Sequence, residues 1–184
     1  MIRIPDTMAR WALWVIFAGT LICSATLAQA DITRFFGSYV GSAEAVSADG
    51  STKPRDMSVE IKGVDDGFMV NWTSTTYRAD GSAKVKSYTV GFAFSGREGV
   101  YAAAMRRNVF GHDVQLDPMR GEPYVWSRVE GDTFSLYSMY VTEDGGYEIQ
   151  QFDRTLATGG LNLDFQTVRD GQILRTVSTF LEKK

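Results

Sequence analysis

Cysteine, histidine and proline are scarce in this chain, with one Cys, one His and four Pro in 184 residues. The single cysteine, Cys23, falls in an apolar N-terminal stretch, so the rest of the sequence has no thiol pair and no disulfide framework. One His, with no cysteine beyond that stretch, excludes the common zinc ligand sets. The acidic turns "DDG" at Asp65 and "EDGG" at Glu143 lack the ligand spacing of a calcium loop and read as turn formers. No metal and no cofactor is therefore expected. An excess of positive charge is missing too. Lys and Arg number 19 against 22 Asp and Glu, a net charge of −3. That balance argues against a nucleic-acid or anionic-membrane partner. No amphipathic helical period appears, and no apolar run after residue 30 is long enough to span a membrane.

What the chain does have begins with a leader. Arg3 and Arg10 precede the apolar stretch "WALWVIFAGTLIC" at residues 11–23, and "AQA" at residues 28–30 is a small-x-small cleavage site. This pattern predicts a secretory signal peptide over residues 1–30, followed by one domain over residues 31–184. Cys23 follows "LI" rather than a small residue, which argues against a lipid-anchored cysteine. The leader carries two arginines and one aspartate, so residues 31–184 are one unit more negative than the whole chain. An exported protein without disulfides must be held by packing alone.

The remainder alternates strands with turn signals. Strands are expected at 36–46, 55–64, 68–77, 83–94, 99–106, 124–129, 133–141, 147–156, 161–169 and 172–181. Glycine-bearing turns such as "ADG", "EGD", "TGG" and "RDG" separate them. In "FSLYSMY", Phe134, Leu136 and Tyr140 share one face while Tyr137 and Met139 take the other. Hairpin-linked strands at this spacing form a meander, which either closes into a barrel or folds into a sandwich. Closure removes exposed edges, so the expected fold is all-β, an antiparallel up-and-down meander of about ten strands closed into a barrel.

The first strand carries a resemblance. "FFGSYVG" at residues 35–41 resembles the first-strand signature of the calycin superfamily, the lipocalin-like and nitrobindin-like small barrels, with Tyr39 where that signature has Trp. The resemblance implies a lipocalin-like barrel in which Tyr39 packs at the closed end under an Arg of the last strand, here Arg175. Independently of the resemblance, Gly37, Tyr39, Gly41, Ala43 and Ala45 alternate onto one face. One aromatic followed by small residues plugs one end and leaves space above it, or the glycines mark a bend at a barrel corner.

Candidate site residues come from aromatics and arginines on strands. Trp72, Trp126 and Tyr140 are candidates to line a cavity with Tyr39. Arg128, Arg154 and Arg175 occupy strands; one pointing inward would pair with a ligand carboxylate or phosphate, or with Asp153 or Asp164. The candidate ligand set is Tyr39, Trp72, Trp126, Tyr140, Arg128 and Arg175. Residues 108–123 break the rhythm as a long loop carrying His112, Asp113 and Arg120, and are expected to border and gate the open end. His112 and Asp113 would be a general-base pair, but adjacent residues on an extended loop point apart, and no Ser sits in a nucleophile-elbow context. Haem ligation by His112 has no support elsewhere in the loop.

These features lead to an expectation of a periplasmic or secreted barrel that binds a small hydrophobic or amphipathic molecule without catalysis. The alternatives are an envelope protein partner held by the 108–123 loop, and a small envelope enzyme. The leader reading predicts that exported protein begins near Asp31. N-terminal sequencing checks this, and an intact Met1 in the membrane fraction contradicts it.

Overall fold

The strand pattern closes on itself. The computed structural model describes residues 31–103, 106–107, 113–114 and 116–184; residues 1–30, where the leader is expected, and His112 lie outside that set. A short 3₁₀ turn, η1 (Ile32–Phe35), leads into β1 (Gly37–Ser47), β2 (Thr52–Val64), β3 (Gly67–Tyr77), β4 (Ala83–Phe94) and β5 (Val100–Ala103). A two-residue ribbon, β6 (Arg106–Arg107) with β7 (Asp113–Val114), and a second 3₁₀ turn, η2 (Pro118–Arg120), precede β8 (Tyr124–Glu130). Then come β9 (Thr133–Val141), β10 (Tyr147–Ala157), β11 (Gly160–Arg169) and β12 (Gln172–Lys183). Ten of these strands form one closed antiparallel barrel in the order β1-β12-β11-β10-β9-β8-β5-β4-β3-β2. The expected up-and-down meander of about ten strands is thus the observed fold.

Hairpins are tight because their residues accept positive φ. In the β11–β12 turn, Asp170 (φ 49°) and Gly171 (φ 82°) both sit in the left-handed region, as a two-residue turn matched to strand twist requires. Every barrel strand therefore starts at the end where its predecessor stopped. The turns β2–β3, β8–β9 and β10–β11 gather at one end with η1. The turns β1–β2, β3–β4, β9–β10 and β11–β12, together with η2, gather at the other.

The η1 end is sealed. Ile32 and Phe35 of η1 enter a cluster with Tyr39, Ile61, Phe68, Val129, Phe134, Leu161 and Leu181, all buried. Phe68 stacks on Phe92 at 5.1 Å and meets Phe134 edge-on at 5.7 Å. The Tyr39 hydroxyl donates to the Phe35 carbonyl at 2.9 Å, which satisfies a buried polar group and pins the plug to the first strand. Arg34 ties the same turn to Asp132 of the β8–β9 turn at 2.6 Å.

The structure corrects the expected partner of Tyr39. In the β1–β12 ladder Tyr39 lies opposite Lys183, while Arg175 lies opposite Ser47 at the other end of the barrel. The Lys183 ammonium sits 5.7 Å from the Tyr39 ring and donates to the Phe36 carbonyl at 3.1 Å. Antiparallel pairing is the reason: the start of β1 must meet the end of β12, so a residue early in β12 cannot reach it. In the β11–β12 ladder the register shifts between Thr167 and Val168, and Ile173, opposite Val168, is exposed. Gly41 has a packing role. A Cβ there would lie 2.6 Å from the Phe180 carbonyl and 2.8 Å from the Leu181 side chain.

The plug predicts unequal costs at the two ends. Tyr39→Ala should destabilise by about 3–5 kcal/mol, as for loss of any fully buried ring. Tyr39→Phe should cost about 1–2 kcal/mol for the orphaned Phe35 carbonyl. Arg175→Met should change stability by less than about 1 kcal/mol. Urea unfolding of the three variants measures this, and an Arg175 effect equal to that of Tyr39→Ala contradicts the placement.

Candidate functional site

Above the plug the barrel is hollow. A cavity of about 690 Å3 runs from the buried cluster to the end where η2 lies. That volume falls in the usual range for small-molecule sites. Strand alternation decides what lines it. Even-numbered residues of β3, β4, β9 and β10 and odd-numbered residues of β1, β2, β8, β11 and β12 point inward, and the lining obeys that parity with few departures.

The lower wall is apolar. Val59, Leu136, Leu163 and Leu181 line it together with Phe152, Phe165 and Val177. Trp72 stacks on Tyr88 at 5.1 Å and tilts against Phe152 at 5.8 Å. Small residues of β1, Ala45 and Ser47, line the cavity beside them and leave it open. Of the small first-strand face, Ala45 reaches the lining.

One charge sits in this apolar end. Arg154 is only 2% exposed, yet its Nε and Nη1 have no hydrogen-bond partner among the described residues. Its guanidinium lies 5.4 Å from the Phe152 ring and 5.8 Å from the Phe134 ring. Burial pushes its pKa down to about 10, and the charge of nearby Asp153 offsets only part of that. Asp153 is on the opposite face of β10, where Ser135 and Gln151 each donate to it at 2.6 Å. The sequence offers Asp153 as a partner for Arg154, but alternation directs the two side chains to opposite sides of the wall.

The mouth is cationic. Lys53, Arg55, Arg78, Lys84, Lys86 and Arg175 border it, and among the described residues no Asp or Glu lines the cavity. Glu148, beside Gln150 on β10, is already hydrogen-bonded by Tyr140 and Gln150. Arg55 is half-buried with its Nε unpartnered among the described residues; burial lowers its pKa and the charge of Arg175 lowers it further. An acidic chain has thus turned a group of like positive charges inward, which the net charge alone hides.

The sequence-expected residues divide by face. Trp72, Tyr140 and Arg175 line the cavity. Tyr39 is buried in the plug below it. Trp126 and Arg128 lie on the outer wall, because Val125, one residue from Trp126, takes the inward position on β8. Trp126 stacks there on Tyr137 at 4.9 Å, and Arg128 pairs with Glu130 at 2.5 Å. Of the long loop, Gly121 and Pro123 reach the cavity lining. Arg120 is exposed and paired with Asp117 at 3.4 Å. Asp113 is part of β7, and His112 lies outside the described residues, as do residues 108–111 and 115 of the segment expected to gate the barrel. Arg154 is the site residue that the candidate ligand set omits. Its signal is present as Phe152, Arg154 and Leu156 alternating with Gln151, Asp153 and Thr155.

No protein-family model matches the chain, and no curated protein matches it.

The depressed pKa of Arg154 is equivalent to roughly 3 kcal/mol against the charged form. Arg154→Met should therefore stabilise the ligand-free protein, by about 1–3 kcal/mol. The sign with pH comes from linkage. Below about pH 10 the group is charged in both folded and unfolded chains and the penalty is complete. As pH rises above that, the unfolded chain keeps a proton that the folded one has shed, and wild type gains on the variant. Denaturant midpoints at neutral and alkaline pH test this; a variant less stable than wild type contradicts it.

Proposed function

We propose that this protein is an exported, non-enzymatic binding barrel whose cavity holds a small amphipathic molecule with a negatively charged group. The observation that carries the reading is Arg154, a buried guanidinium with free Nε and Nη1 at the apolar end of an open cavity. A guanidinium in that environment is worth keeping only if something periodically satisfies it. A carboxylate or phosphate oxygen does so through charge-assisted hydrogen bonds, while the ligand's hydrocarbon part packs on Trp72, Phe152 and Phe165. The calycin-like resemblance of the first strand and the closed barrel agree with this use. The leader pattern supports a periplasmic or secreted location.

A second reading rests on the loop before β8. Met119 of η2 is 75% exposed, a large apolar side chain at the rim, and would serve a protein partner in the envelope. The two readings separate by what each variant disturbs. Native mass spectrometry of the purified exported protein, with organic extraction, should reveal a bound anionic amphiphile. Arg154→Met should lose it and Met119→Ser should retain it. Recovery of no small molecule, together with no binding of added dodecanoate, would overturn the binding reading.

A further inference from the structure

The cavity has positive charge at two levels with an apolar belt between them. Arg154 lies opposite Leu163 in the β10–β11 ladder, and Leu163 lies opposite Thr179 of β12. Arg175 is four residues nearer the mouth on β12, a step of roughly 13 Å along the strand. The belt between is Met57, Trp72, Phe152, Phe165 and Val177. At the upper level Arg55, opposite Ala43 of β1, and Arg175, opposite Ser47, flank the small-residue face of that strand. Their like charges oppose one another, and the Arg55 Nε is buried without a partner among the described residues. Two guanidinium groups brought together, with no carboxylate among the described residues of the lining, form an anion site as incomplete as the one at Arg154.

Resting on the binding reading above, we infer that the ligand is an elongated dianion: one acidic group meets Arg154, a second lies between Arg55 and Arg175, and an unbranched apolar segment joins them. A ligand charged at one end leaves one of the two levels unsatisfied. A compact polyanion cannot cover the apolar belt. The belt's length along the strand is matched by an extended dodecanedioate.

The alternative for the upper cations is steering alone, which accelerates the capture of any anion without preferring a second charge in the bound state. Equilibrium titration calorimetry of the ligand-free protein with dodecanedioate, dodecanoate and dodecanol distinguishes these. The expected order is dodecanedioate about tenfold tighter than dodecanoate, consistent with one further charged hydrogen-bonded contact, and dodecanol weakest. In the double variant Arg55→Gln, Arg175→Gln the ratio of diacid to monoacid affinity should fall to about one, with circular dichroism confirming the fold. Equal affinities for the two acids in wild type, or an unchanged ratio in the double variant, overturn the dianion while leaving the binding reading in place. Failure of all three probes to bind overturns both.

Discussion

The buried positive charge of Arg154 sets the terms for this barrel. Arg154 is buried among Phe134, Phe152 and the aliphatic side chains of the lower wall, with its Nε and Nη1 unpaired among the described residues. Desolvation of that charge works against folding, so the rest of the structure has to offset it. The offset comes from the plug: η1, Tyr39 and the aromatic cluster around Phe68 bury a dense set of rings at one end. Among the described residues nothing comparable fills the other end. The molecule is divided into a half that supplies stability and a half that stays open, with Arg154 at the boundary.

Closure of the sheet makes this division possible. A ten-strand barrel leaves no continuous edge in need of cover, so its upper interior is free of structural duty. The wall is not uniform, however. β5 is short, and among the described residues it pairs with β4 only over Phe92–Phe94 and with β8 only over Val100–Ala102. The upper part of β4, carrying Lys84, Lys86 and Tyr88, is consequently more exposed than the other inward faces. These cations sit where an approaching anion would first meet the interior, and their field extends into the solvent while that of Arg154 does not.

Much of the scaffold is legible in the sequence because it rests on local signals. Strand alternation and glycine turns act over a few residues, and all ten barrel strands are placed by them. Long-range relations are harder. The expected partner of Tyr39 is Arg175, although antiparallel closure requires the start of β1 to meet the end of β12, where Lys183 stands. The placement of Trp126 and Arg128 fails by one step of alternation, since "YVWSRV" offers apolar residues on both faces and only the closed barrel decides which turns inward. Arg154 needs one further step: comparing its face with that of Asp153 on the same strand. The cationic mouth is obscured by composition. A net charge of −3 averages an acidic exterior with a basic interior, and no sum over the chain separates them.

The central claim is that the Arg154 guanidinium binds an anionic group inside the barrel. The most direct measurement is nitrogen-15 NMR of the arginine Nε–H groups, with the Arg154 signal assigned from the Arg154→Met variant, during titration with dodecanoate. The expected result is a saturable shift of the Arg154 signal at the same ligand concentration that saturates binding. A titration in which dodecanoate binds and the Arg154 signal stays in place would contradict the account.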